Sequence, residues 1–510
     1  MNLGFSGRNE PWKSIRILGR EPASQKKLPQ FSASASSSIS LIDPPGATSS
    51  TPVNMPSIKT LPFEITSMIL GELKEDGAEL ANFAVISRTW QGAVESTLFR
   101  ELSVNSEEFP EFEFALTASP ARFSYLRKLR YSLIMKKRAA QSSVWTQNIH
   151  SLYEIRRLFT LLNERPVGGD DASLQLFLDL KFHSPHWVRS TFKKNQLSKI
   201  HFCPSEGQMS VPVLSSPSPI SIDIKAWCYS SPDARIMALL LKSVPTLREA
   251  TFDVSEASSH ADATDYGKSL ASAASQLNAL EVTNLQHLTI HFLSSRCTTM
   301  SYSRWHGDPY DRWSSTPDYI NHVQSAPFNR ALRRISSNLQ TLRLLGGFAL
   351  TPDFFCPGLN GAAPEWNIQD VTIQAHPGST YRTPRRGKFH QDGWRARRDV
   401  GKHNSLATSI TRAMVKMPKL NRLVVQLKVR NSERREGYPV IGERFQYDRG
   451  QWKRGEKADL RRGLYRCGGL HCCNIAHPCP LHPEWNWEVP ALAEQYWSEF
   501  RDRVNAELGE

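Results

Sequence analysis

The sequence predicts an α/β chain in three parts: a Ser/Pro-rich tail over 1–55, a small helical module over 56–103, and an irregular array of strands and helices over 104–510. Three observations lead to that reading. Near residue 60, apolar residues recur at intervals of three and four, which places them on one helix face. Further on, a leucine or isoleucine opens a short alternating segment eight times. At the start, SASASSSIS and PPGATSSTP offer too little apolar surface to offset the entropy of ordering a backbone, so the tail is expected to be disordered.

The helical module runs from Leu61 to Arg100 as LPFEITSMILGELKEDGAELANFAVISRTWQGAVESTLFR. Ile65, Met68, Ile69 and Leu73 form the first stripe. Pro62 and Glu64 suit a helix start, where a missing N–H costs nothing and negative charge is favoured. The polar stretch from Lys74 to Gly77 ends this helix. A second run follows with Leu80, Phe83, Ala84 and Val85, then Ser87, Arg88 and Trp90; a third closes on Val94, Leu98 and Phe99.

The array is built on the pattern L-x-x-L-x-φ, starting at Leu126, Leu174, Leu197, Leu247, Leu285, Leu339, Ile368 and Leu420. This is the strand portion of a leucine-rich repeat. Stretches with helical spacing precede several of these strands: Ile155–Leu162, Asp233–Val244, Gly267–Leu277, Phe328–Ile335 and Ser405–Met417. One strand and one helix cannot bury their faces alone, whereas a stack of them shares a continuous core. The intervals are wider and less even than the usual ~20–29 residues, so the expectation is an irregular α/β solenoid. An ordinary α/β domain with several leucine-initiated strands is the plainer alternative.

Leu61-Pro62, Glu64-Ile65, Ile69-Leu70, Leu73, Val85, Ser87-Arg88 and Trp90 together resemble an F-box, the helical module that docks substrate adaptors onto cullin-RING ubiquitin ligases. The connection Lys74–Glu79 departs from the pattern by being slightly long and acidic. Residues 80–102, 125–134, 174–192 and 413–427 resemble segments of fungal F-box proteins whose C-terminal region is a degenerate leucine-rich-repeat-like array. The resemblance implies docking on a Skp-type linker, and through it a cullin, by Leu61, Pro62, Ile65, Ile69, Leu70 and Trp90. It implies that the array recruits an unknown protein substrate and that the chain performs no catalysis itself.

The rest of the sequence narrows the alternatives. G-x-x-x-x-G-K-[ST], H-E-x-x-H, G-x-S-x-G and a G-x-G-x-x-G after a strand are all absent. His183, His186, His287 and His291 fall in or beside expected strands, where histidines are usually packed or hydrogen-bonded. No apolar run approaches the ~20 residues of a membrane span, and the N-terminus lacks an apolar signal region. A cytoplasmic or nuclear protein is expected. Net charge is +14, and eight Lys/Arg against two Asp crowd into Arg382–Lys402, interleaved with Phe389 and Trp394. Such a mixture suits phosphate and base stacking, or an acidic partner. Nucleic acid binding by this loop, or a scaffold role outside ubiquitin transfer, is therefore the alternative function; neither nucleic acid nor membrane is the expected partner.

Cys467, His471, Cys472, Cys473, His477, Cys479 and His482 gather more soft donors than one tetrahedral zinc needs. Cys467, His471, Cys472, His477, Cys479 and His482 are the candidate ligands of such a site, which would be structural. Their intervals are not those of paired Cys-x-x-Cys knuckles, and a loop of reduced thiols fits equally well. No other cofactor is expected.

Overall fold

The computed structural model describes residues 16–17, 58–135, 144–165, 174–182, 201–202, 211–214, 220–226, 231–232, 234–255, 260–280, 284–293, 322–348, 350–356, 365–375, 381–382, 397–398, 400–429, 441–452, 460, 464–468 and 488–509. The chain divides into two compact units. One takes residues up to Val104 together with Glu108–Leu129; the other takes Asn105–Glu107 and Arg130 onward.

The smaller unit starts with α1 (Phe63–Glu75), a 3-10 helix (Leu80–Val85) and α2 (Arg88–Leu98). Pro62 caps α1 with no side-chain bond, and Thr66 donates both its N–H and its hydroxyl to the Pro62 carbonyl, each at 3.0 Å. Ser87 is the N-cap of α2, its Oγ accepting from the Trp90 N–H at 3.4 Å, so the Ser-Arg-x-Trp spacing is a cap. A short strand β1 (Glu101–Asn105) and two helices, α3 (Phe109–Thr117) and α4 (Pro120–Tyr125), follow. Arg122 ties them to α2: it donates to Glu95 at 2.7 Å and to the Ala115 carbonyl at 2.9 Å, with its guanidinium 5.0 Å from the Phe99 ring centre. Inside the segment expected to be disordered, Arg16 and Ile17 pair antiparallel with Ser103 and Leu102.

The larger unit is α/β, with an open sheet of ten strands in chain order. They are β2 (Lys128–Met135), β3 (Leu174–Phe182), β4 (Ile220–Ala226), β5 (Leu247–Ser255), β6 (His287–Leu293), β7 (Thr341–Phe348), β8 (Asp370–Ala375), β9 (Arg422–Val429), β10 (Ile441–Asp448) and β11 (Tyr465–Gly468). From β3 to β9 every pairing is parallel; β10 and β11 then add as antiparallel strands. The helices are α5 (Val144–Asn163), α6 (Ala234–Ser243), α7 (His260–Asn278), α8 (His322–Ser336), α9 (Val400–Val415) and α10 (Ala491–Glu507). Five of them overlap the five helical stretches expected from spacing.

A parallel sheet whose strands advance in one direction, joined by right-handed crossovers, carries all its helices on one face. The packing agrees: α6 lies against α7 and α7 against α8, the 3-10 turn Pro352–Phe354 touches α8 and α9, and α9 lies against α10. Alternate strand residues accordingly run as two apolar ladders beneath the helices. One follows the register Leu176, Ile222, Ala250, Leu288, Leu342, Val371, Leu423, Tyr447. The other carries Phe252, Ile290, Leu344, Ile373, Val425 and Phe445. All of these described side chains are buried.

The recurring motif has a structural cause. Its first leucine closes a turn on the preceding helix: Leu247 N–H donates to Val244, Leu339 to Ser336 and Leu420 to Met417, at 3.1 to 3.3 Å. The carbonyl of the next residue then accepts two N–H groups of the following unit. Gln286 takes Gln340 and Thr341, Gln340 takes Gln369 and Asp370, and Gln369 takes Asn421 and Arg422, all between 2.8 and 3.0 Å. Each unit thus fixes the register of the next and satisfies backbone donors that a turn would otherwise leave unpaired.

Two sequence expectations shift. In the segment expected as a strand from Leu197, His201–Phe202 pair with Ser231–Pro232 in a separate two-stranded sheet. The place in the main sheet between β3 and β5 belongs to Ile220–Ala226, whose sequence ISIDIKA alternates but lacks the leucine start. The far end is closed by the β10–β11 pair and α10. There Tyr447, Trp497 and Phe500 are buried together, with the Tyr447 and Phe500 rings 4.9 Å apart, edge to face. No helix among the described residues is long and apolar enough to cross a membrane.

Candidate functional site

Two surfaces are candidates, one on each unit. In the small helical module, the six residues singled out for docking divide by burial. Leu70 and Trp90 are 0% and 1% exposed and form the module core with Leu80, Ala93 and Val94. Trp90 is further pinned by its indole N–H, which donates to the Ile58 carbonyl at 2.7 Å, and by the Phe83 ring 6.0 Å away. Leu61 and Ile69 are half-buried against this core. Pro62 and Ile65 are exposed.

At 100° per residue, the wheel of α1 explains the division. Thr66 and Leu70 point to the core, Ile69 flanks it, and Ile65 and Met68 occupy the opposite side. Met68 is 68% exposed and Ile65 43%, and beyond α1 Val85 stands 88% exposed on the 3-10 helix. Met68 and Val85 were not among the expected anchors. The signal was available, because both lie in the same apolar runs, but a stripe alone does not tell which side a short helix buries.

The second surface is the sheet face opposite the helices. Strand residues out of phase with the apolar ladders point there and most are polar, Phe177 and Val424 being among the exceptions. Its early strands carry four carboxylates, Asp179 on β3, Asp223 on β4, and Glu249 and Asp253 on β5, with Lys225 in register beside Asp179. Arg130 of β2 reaches Asp179 at 3.7 Å and lies 5.6 Å from the centre of the Phe177 ring. Asp253 and His291 are register partners on β5 and β6, with Nδ1 of the ring 2.8 Å from the carboxylate. His291 is thus a hydrogen-bonded strand residue, as expected.

Beyond β6 arginines join carboxylates, Asp370 and Asp448 lying in register on either side of Arg422. Arg343 of β7 is exposed between Thr289 and Thr372 in the register, and Arg422 of β9 is exposed. Arg444 of β10 is half-buried opposite Gln426. Burial, and then the like charge of Arg422, lower the Arg444 pKa from the usual guanidinium value.

Of the six candidate zinc ligands, Cys467 falls in β11, and His471, Cys472, His477, Cys479 and His482 lie outside the described residues. Among the described residues no three His, Cys, Asp or Glu side chains gather to hold a metal. Most of the basic loop is also outside them; its described ends, Tyr381–Arg382 and Arg397–Arg398, pair antiparallel. No protein-family model matches this chain, and no curated protein matches its sequence.

Proposed function

We propose that this chain is an F-box substrate adaptor of an SCF-type cullin-RING ubiquitin ligase. Residues 56–103 dock on a Skp-type linker, and the leucine-rich-repeat-like array recruits a protein substrate. The adaptor does no covalent chemistry; it raises the substrate's local concentration beside a charged conjugating enzyme.

The observation that carries this reading is the small helical module itself. It spends Trp90 and Leu70 on its own core and turns Ile65 and Met68 to solvent on the opposite side of α1. Large apolar side chains left out of so small a core are a docking signature. An amphipathic helix of this kind fits an apolar groove on a partner. The sheet of the larger unit supports the second half of the reading, because one face is covered by helices while the other carries a largely polar surface of mixed charge.

The test is capture of a purified Skp-type linker and its cullin by the full-length chain. Capture of both is expected. A folded chain that captures neither removes the adaptor reading, and capture of the linker without the cullin favours a scaffold outside ubiquitin transfer.

A further inference from the structure

We infer that the sheet face over β7–β10 binds an extended acidic polypeptide segment through Arg343, Arg422 and Arg444. All three point away from the helical layer, since each is out of phase with the buried ladders of its strand. Among the described residues none of the three guanidinium groups makes a hydrogen bond or an ion pair, and the Nε of Arg444 is shut off from solvent without a partner. Asp370 and Asp448 stand in register on either side of Arg422 without closing on it. Arg503, by contrast, donates to three carbonyls and Arg122 to both a carboxylate and a carbonyl. Three guanidinium groups without an ion pair, against the two carboxylates of Asp370 and Asp448, leave this face with an excess of positive charge for a carboxylate-rich ligand.

The spacing selects the ligand. Arg343 and Arg422 are two strands and one side-chain row apart, roughly 12 Å between Cα atoms by ordinary sheet spacings. A single phosphate or carboxylate cannot bridge that distance, whereas an extended peptide presents successive same-side carboxylates about 7 Å apart. The described residues of this half carry no aromatic ring on that face for a nucleobase to stack on, which argues against nucleic acid. Asp223, Glu249 and Asp253 on β4 and β5 disfavour such a segment there, so the arginine-bearing strands are where it lies. The inference deepens the adaptor reading, on which it rests only in calling this segment a substrate; the binding is measured without the linker.

The test uses the full-length chain and a fluorescent peptide of about twelve residues alternating Glu and Ser, so that its carboxylates share one side. Its Gln–Ser counterpart is the control ligand. Anisotropy should show binding of the Glu peptide alone, weakened by added salt. Arg343→Gln/Arg444→Gln should weaken it by about tenfold or more. Lys242→Gln/Arg330→Gln on the helices removes the same charge and should leave it unchanged. Arg422→Gln, at an exposed position, serves as a second variant should the double one melt early. A parent that ignores the Glu peptide overturns the inference. So does undiminished binding by the folded variants, which places the affinity elsewhere, or preference for an oligonucleotide lost in the same variants. Linker capture by the same preparation keeps the adaptor reading separately testable.

Discussion

Two variants of α1, one in its core face and one in its exposed face, should have opposite consequences. Leu70→Ala removes a side chain that is fully buried against Trp90 and Val94. Such truncations cost about 2–5 kcal/mol. At ~0.05–0.15 kcal/mol per residue, the described part of the smaller unit holds roughly 4–10 kcal/mol, so much of its stability should go. Met68→Asp and Ile65→Asp change side chains that are 68% and 43% exposed. Exposed positions usually move stability by about 0.5 kcal/mol or less. Their effect falls on docking, where the double variant loses apolar burial and forces carboxylates toward an apolar groove. A combined loss near 2.8 kcal/mol corresponds to about a hundredfold weaker Kd. Thermal circular dichroism and titration calorimetry with the Skp-type linker separate the two effects. A folded Ile65→Asp/Met68→Asp chain that binds like the parent refutes the docking face. A Leu70→Ala chain as stable as the parent refutes the core assignment.

Three further outcomes follow from the larger unit. Gly346 on β7 has φ +105°, and an added Cβ would meet the Phe292 carbonyl oxygen at 2.1 Å; Gly346→Ala should destabilise by about 2–4 kcal/mol, seen as a lower urea midpoint. Tyr447 is buried with its hydroxyl unpartnered, and burial pushes its pKa up to about 12. The neutral phenol is therefore the stable native form, and its contribution is complete below pH ~10, the unfolded value. That contribution is lost as pH rises through about 12, so Tyr447→Phe should leave stability at pH 7 unchanged or raised and flatten the alkaline fall in melting temperature. Arg503 donates to the carbonyls of Val415, Met414 and Met417 at 2.6, 3.2 and 3.0 Å, closing the end of α9 from α10. Arg503→Ala should cost about 1–3 kcal/mol, and amide exchange should rise first at the C-terminal turn of α9.

The repeating motif was legible because one geometry recurs. Wherever Leu-x-x-Leu follows a helix, the leucine closes the helix and the next residue receives the following unit, so the pattern states both register and direction. Strand β4 escaped it because Ile220–Ala226 keeps the alternation without the leucine-led turn. The segment at Leu197 carries the pattern, yet its described residues pair outside the main sheet. Both misplacements have the same cause: a motif names a local shape, and sheet position depends on neighbours distant in sequence.

By itself, the sequence determined the α/β class, the helical module and most of the strand phases, because backbone periodicity and capping are local. It also supplied the apolar stripes of α1, but not their division between core and surface. That division, and the gathering of Arg343, Arg422 and Arg444 on one sheet face, were decided only by the tertiary structure. Which stripe meets Trp90, and which arginine lies across from which strand, depend on long-range packing that spacing along the chain does not encode.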